Sequence, residues 1–160
     1  MFGDQYDAPN TYYDNAEGLT GDSLKSALHD IIDNHVVISY SNVKTAFREL
    51  DKDPDNANNV ILIYSGDSVS GTSSSWNREH LWPRSYGADA GPAYSDAHHL
   101  FPANASTNSD RSNYAFDELE FSTPLANAPE SLKNSGSRLV EPRDEDKGRI
   151  ARAILYMETR

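Results

Sequence analysis

The chain has 160 residues, the size of one ordinary domain and enough to bury a core. It has no cysteine, which excludes disulfide staples, thiolate metal sites and a cysteine nucleophile, and it has no apolar run long enough to span a membrane as a helix. The formal net charge of −11 argues by itself against a phosphate-rich partner.

The charge is unevenly spread. Residues 1–60 carry 4 basic and 11 acidic side chains, whereas residues 115–160 carry 7 basic and 9 acidic ones. The acidity of the first part is read as a solubilising surface. Met1-Phe2-Gly3-Asp4 opens a polar segment with neither a basic nor an apolar leader region. Residues 12–19 read as an irregular lead-in. Thr20 to His35 predicts a helix, with Thr20 or Asp22 as cap and Leu24, Ala27, Leu28, Ile31 and Ile32 on one stripe. A second helix is expected over Ser41–Leu50, with Val43, Ala46, Phe47 and Leu50 inward.

Asp51–Asn58 is a turn-rich, oxygen-rich connector, but it lacks the glycine and the closing glutamate of an EF-hand loop. Val60–Tyr64 predicts a buried strand, and Ser65–Ser75 a loop. Two further strands are expected over Trp76–Trp82 and Tyr94–Phe101, with Pro102 ending the second and a short helix running to about Asn113. Leu119–Ser137 shows no period and reads as irregular. Asp146–Glu158 predicts a closing helix with Ile150, Ala153, Ile154 and Met157 on one face. No repeat or linker divides the chain, so a single α+β domain over residues 1–160 is expected.

Three polar clusters lie between apolar anchors: Arg78-Glu79-His80, Asp96-Ala97-His98-His99, and Asn108 through Asn113. Charged and imidazole groups so placed are costly to bury unless paired or metal-bound. Histidine suits general-base work near neutral pH, a carboxylate with an amide oxygen suits Mg²⁺, and arginine holds phosphate in a fork. The residues alone point to a metal-assisted hydrolase, with phosphodiesters as a fitting substrate.

The stretches W-N-R-E-H-L-W-P-R-S-Y-G, Y-S-D-A-H-H-L-F-P-A-N and T-N-S-D-R-S-N-Y-A-F, in that order, resemble the signature of the endonuclease I family of secreted and periplasmic nucleases, in the ββα-metal (His-Me finger) group. Gly18-Leu19-Thr20-Gly21 and the closing segment with Lys147-Gly148 and Tyr156-Met157 extend the resemblance to nearly the whole chain. The resemblance implies an α+β fold whose ββα core spans about 76–113. It implies sequence-nonspecific cleavage of DNA, RNA or both, with His80 as general base, Glu79 and Asn108 holding one Mg²⁺ (a site that Mn²⁺ or Ca²⁺ can also fill), and 5′-phosphate products.

Arg84, Arg111 and Arg152 are the candidates for a phosphate contact. Asp96, His98, His99 and Asn113 read as supports of the site. Ala97, Phe101, Asn104 and Thr107 depart from the family's frequent residues and bear on substrate preference and rate. A monomer, secreted or periplasmic and without membrane contact, is the expectation.

Two other readings compete. One is a nucleic-acid-binding module of this fold that has lost catalysis; intact Glu79, His80 and Asn108 argue against it. The other is a zinc hydrolase built on His80, His98 and His99, which the divergence of adjacent strand residues disfavours. The same divergence touches Glu79 and His80, so their joint role predicts irregular backbone at 79–80, and a regular paired strand through both, with side chains opposed, would count against that role.

Overall fold

The computed structural model describes residues 11–33 and 35–160, so the reading of Met1–Asp4 lies outside the described residues. Helix α1 (Gly21–Ile32) begins after Thr20, whose side chain makes no capping hydrogen bond, and it ends before His35. Its apolar stripe is half-buried. His29 is half-buried and donates Nδ1–H to the Thr159 carbonyl at 3.1 Å. Helix α2 (Tyr40–Leu50) is capped by Ser39, whose Oγ accepts from the Asn42 N–H at 3.2 Å. Val43 and Phe47 are fully buried, but Leu50 is 65% exposed, contrary to expectation. The inward place after Leu50 goes to Asp51, which is buried against Arg149.

Strand β1 (Asn59–Ile61) pairs antiparallel with β2 (Ser68–Ser70). The Ser65–Ser75 segment is therefore not all loop; its strand is short and serine-rich and carries little apolar signal. Strand β3 (Trp76–His80) pairs antiparallel with β4 (Leu100–Asn104), and α3 (Ala105–Arg111) follows at once, the two-strand-and-helix unit expected near residues 76–113. The second strand starts later than expected, because Pro92–Ser95 forms a 3-10 turn. Pro102 lies within β4 instead of ending it. Its carbonyl points away from β3 and accepts from the Ile63 N–H at 2.8 Å, so its nitrogen faces the same outer side and no ladder donor is missing. Asn104 caps α3, its Oδ1 accepting from the Ser106 and Thr107 amides at 2.9 and 3.3 Å.

The segment read as irregular folds as strands. In the second half, β5 (Ala115–Phe116), β6 (Thr123–Leu125), β7 (Ala128–Asn134) and β8 (Leu139–Glu141) form a sheet of order β5-β8-β7-β6, with β5 parallel to β8 and the rest antiparallel. The β6–β7 turn puts Asn127 at φ 57°, a backbone asparagine tolerates. Its inward residues include Ala128 and Ser131, too small to show an apolar period. Helix α4 (Asp144–Thr159) opens with three acids that complement its dipole. Ile150 and Ala153 are buried as expected.

Two cores flank the β3–β4 pair. Val43, Phe47, Val60, Leu62, Trp76 and Leu100 pack on the α2 side. Ile63, Tyr64, Leu81, Ala103 and Ile150 belong to the other, which joins the larger sheet and α4. Strand alternation thus divides one ribbon between two cores: Trp76 and Leu100 face one, Leu81 and Ala103 the other. Truncating Trp76, 1% exposed, would cost about 3–5 kcal/mol. No helix of the described residues is long and apolar enough to cross a membrane.

Candidate active site

A cavity of about 510 Å³ runs beside β3 and is lined by four consecutive strand residues, Asn77, Arg78, Glu79 and His80. The expected irregularity at 79–80 is absent: pairing is continuous from Trp76↔Asn104 to His80↔Leu100. Neighbouring side chains therefore leave the strand on opposite faces. Four neighbours can line one cavity only where it follows an unpaired edge. β3 has such an edge, since β4 is its one partner in that sheet. A site shared by Glu79 and His80 can lie only there.

Glu79 is 2% exposed. Tyr64 Oη donates to its Oε1 at 2.7 Å, and Arg111 stands 3.3 Å from the same oxygen. Burial pushes the carboxyl above its ordinary value, while the Arg111 charge and then the Tyr64 hydroxyl pull it down. Tyr64 is itself held firmly. It sits at φ 75°, a left-handed backbone rare for tyrosine, and its N–H donates to Asp146 Oδ2 at 2.9 Å. Its carbonyl accepts from Ser131 Oγ at 2.8 Å. Helix α4 and the large sheet thus position a carboxylate on a strand that neither of them contains.

Asn108, on α3, donates through Nδ2 to Asn77 Oδ1 at 2.6 Å and to the Arg78 carbonyl at 3.3 Å. A backbone carbonyl only accepts, so this contact identifies the amide nitrogen and turns Oδ1 the other way. Asn108 lines the cavity with Glu79. One carboxylate and one amide oxygen form a hard-oxygen donor set that fits Mg²⁺, which keeps several of its waters.

His80 lies on the other face, 6% exposed, between aromatic rings. Its ring stacks with Tyr94 (centroids 5.7 Å apart) and Tyr40 (5.9 Å), and His99 is 5.5 Å away. Nε2 lies 3.1 Å from the Tyr94 carbonyl and must carry the proton there, which leaves the Nδ1 lone pair as the base. Burial lowers the His80 pKa to about 4; His99, Arg84 and Arg78 add to the shift, and the Tyr94 carbonyl opposes it. The ring is therefore neutral, and basic at Nδ1, at neutral pH.

The three candidate arginines have different fates. Arg111 is 1% exposed, and its guanidinium donates to the carbonyls of His80, Leu81 and Ser112 at 3.2, 2.8 and 3.3 Å. It clamps the end of β3 and neutralises Glu79. Arg84 is exposed, lines the cavity, and sits 5.1 Å from the Tyr94 ring centroid. Arg152 stands on α4 and is not among the residues lining the cavity. Arg78, singled out only as part of a cluster, lines the cavity with its guanidinium 3.8 Å from the Tyr40 ring centroid.

Asp96 is 3% exposed and is not among the residues lining the cavity. Oδ1 accepts from His98 N and faces His98 Nδ1 at 2.8 Å; Oδ2 accepts from Tyr156 Oη at 2.8 Å, with Arg160 Nε at 3.4 Å and His35 at 3.8 Å. The Asp96 carboxylate thus joins the central loop to α4. His98 is exposed and stacks on Tyr156, whereas His99 is buried with Nε2–H on the Ala93 carbonyl at 2.7 Å. His80, His98 and His99 are not gathered about one point, and no group of three or more His, Asp or Glu among the described residues could hold a metal. Asn113 lines the cavity and ties Ser85 to Arg138. The acids of the 51–58 connector are engaged too: Asp51 with Arg149, Asp53 with Ser68 and the Asp55 amide.

Tyr40 and Tyr64 lie outside the polar clusters along the chain, and sequence reasoning missed them; it also gave no role to Tyr94, two residues before Asp96. Only Asn77 and Arg78 carried a signal, by adjacency to Glu79.

The sequence matches the family model of endonuclease I over residues 20–160. The extracellular ribonuclease of Bacillus subtilis (strain 168) is 47% identical over 163 residues, covering 97% of this chain and 55% of that protein. The extracellular ribonuclease of Bacillus amyloliquefaciens is 46% identical over 158 residues, covering 94% and 53%. The chain spans about half the length of these curated relatives.

Proposed function

The chain belongs to the endonuclease I family, and from that membership we propose that it is a secreted, metal-dependent nuclease that hydrolyses phosphodiester bonds of RNA, DNA or both without sequence preference. The two relatives' names, extracellular ribonuclease, support an RNA substrate and export.

The observation that carries the reading is His80: Nε2 is committed to the Tyr94 carbonyl, and the neutral ring presents Nδ1 beside a cavity that Glu79 and Asn108 also line. His80 takes the proton of the attacking water through Nδ1. The stacked Tyr40 and Tyr94 rings fix the imidazole plane, and burial keeps the ring neutral. Glu79 and Asn108 hold Mg²⁺, with Mn²⁺ or Ca²⁺ as substitutes. When bound, the ion supplies positive charge for the developing charge on phosphate and on the departing 3′ oxygen, leaving a 5′-phosphate. Tyr64 and Arg111 orient Glu79 and oppose the upward push of burial on its carboxyl. Arg84, exposed at the cavity rim, is the phosphate contact of choice among the three arginines. Arg111 acts through Glu79 and the strand end.

The test is cleavage of plasmid DNA and of RNA by wild type and His80→Ala, with Mg²⁺ or with chelator. Wild type with Mg²⁺ is expected to cut, chelation to abolish cutting, and His80→Ala to lose about 10²–10⁴-fold of the rate. Cutting that survives both chelation and the substitution rejects the mechanism. A wild type that binds nucleic acid but never cuts it would instead favour a binding module.

A further inference from the structure

The net charge of −11 leaves open how a polyanion is held at all. The cavity answers for one phosphate group, at Arg84. Next to it the surface carries positive charge that no acid answers. Arg78 lines the cavity, with its guanidinium over the Tyr40 ring. Tyr40, Lys44 and Arg48 recur every four residues along α2 and so share one side of the helix. Lys44 Nζ lies 4.0 Å from the Trp76 ring centroid and donates to the Trp76 carbonyl at 3.0 Å. Arg48 Nε donates to the Gly71 carbonyl at 3.1 Å.

These contacts fix each cation with rings and carbonyls, which leave its charge in place. Among the described residues, none of Lys44, Arg48, Arg78 and Arg84 has a carboxylate within salt-bridge distance, whereas seven of the other ten lysines and arginines do. The only acid on α2 is Glu49. The cations also feel one another: burial first, then the charges of Arg78 and Arg48, hold the Lys44 pKa below the ordinary lysine value. The Arg48 arm has a prepared seat, since a methyl group at Gly71 would come within 3.2 Å of its Cγ. Self-repelling charge held in a row is arranged for an anion with matching repeat.

We infer that Lys44 and Arg48 continue from Arg78 as a phosphate track, which holds the nucleic-acid strand beyond the bond being cut. The inference rests on the nuclease reading and adds to it the path of the strand. From residue 40 to residue 48 the helix rises about 12 Å, the axial length of about three to four phosphates on one strand of a B-form duplex. Such contacts read backbone and not bases, as a sequence-nonspecific enzyme requires.

The experiment measures binding of labelled single-stranded DNA and RNA oligonucleotides in EDTA across a salt series. It compares wild type, the Lys44→Gln/Arg48→Gln variant and the charge-conserving Lys44→Arg/Arg48→Lys variant. The neutral variant is expected to bind roughly tenfold more weakly, and its slope of log affinity against log salt to fall by about 1.4, since each phosphate contact on a single strand contributes about 0.7. The charge-conserving variant should regain both, with DNA and with RNA. An unchanged slope in the neutral variant overturns the track. So does an equal loss in the charge-conserving variant, which would make the effect one of packing, and so does a loss confined to one nucleic acid. A wild type that cuts while the neutral variant binds normally sinks the track alone. A wild type that neither binds nor cuts sinks the nuclease reading itself.

Discussion

The two faces of β3 handle charge in opposite ways. On the α3 face, Glu79 and Arg111 are buried together and every contact is reciprocal: carboxylate to guanidinium, guanidinium to three carbonyls, tyrosine hydroxyl to carboxylate. On the α2 face, Arg78, Lys44 and Arg48 are positioned by rings and carbonyls, with no carboxylate within salt-bridge distance. Residues of similar chemistry thus serve different ends, and burial with a partner separates them. Compensated charge is locked into the structure; uncompensated charge is what the proposed phosphate track would use. Arg111 and Arg78 illustrate the point as two arginines lining one cavity.

Removing one member of the compensated pair should have the largest effect. Arg111→Met leaves Glu79 buried without its counter-charge and should cost about 3–5 kcal/mol of stability in urea unfolding. Glu79→Gln/Arg111→Met should recover much of the loss. A cost below about 1 kcal/mol for the single variant would show that the two charges are not coupled and would erase the contrast.

The same rule extends to Asp96. Burial opposes its ionisation, but hydrogen bonds from His98 and then from Tyr156 outweigh that and hold the carboxyl below the usual carboxylate range. A depressed folded pKa contributes stability that is present above the unfolded value and lost as pH falls toward the folded one. Asp96→Asn should therefore cost about 1.5–3 kcal/mol at neutral pH, the worth of hydrogen bonds to a charged group. The gap to wild type should narrow as pH drops below about 4, the unfolded carboxylate value. A gap that stays constant through that range would mean that shape, and not charge, is what Asp96 contributes.

The smallest effect on stability belongs to the uncompensated face. Arg78→Gln should lose only the cation–π contact with Tyr40, about 0.5–1 kcal/mol. Its cleavage of long strands should fall far more than that stability change explains. Calorimetry paired with cleavage rates checks it, and a stability loss comparable to that of Arg111→Met would break the comparison.

Much of this architecture was legible in order along the chain. The amphipathic periods of α1, α2 and α4 mark helices because each buries one stripe, and two of the three polar clusters mark the cavity, whereas Asp96, His98 and His99 do not line it. What stayed hidden has physical causes. The β6–β7 hairpin buries alanine and serine, which leave no apolar period. Pro102 reads as a strand breaker unless its nitrogen is known to face away from the ladder. Leu50 reads as core until Asp51 is seen to take the inward place.

By itself the sequence determined the α+β class and the three polar clusters, because residue type and local spacing are written in the chain, and the resemblance of its motifs to the endonuclease I family named the candidate trio Glu79, His80 and Asn108. Tertiary structure alone decided how neighbours pointing to opposite faces meet one cavity: the free edge of β3 allows it, and no local irregularity is needed. It also decided which arginines are buried with a carboxylate and which are not, and it brought Tyr40 and Tyr64 to the site from outside the polar clusters. Those assignments depend on which charges find partners once the chain is packed, and long-range pairing has no signature in local sequence.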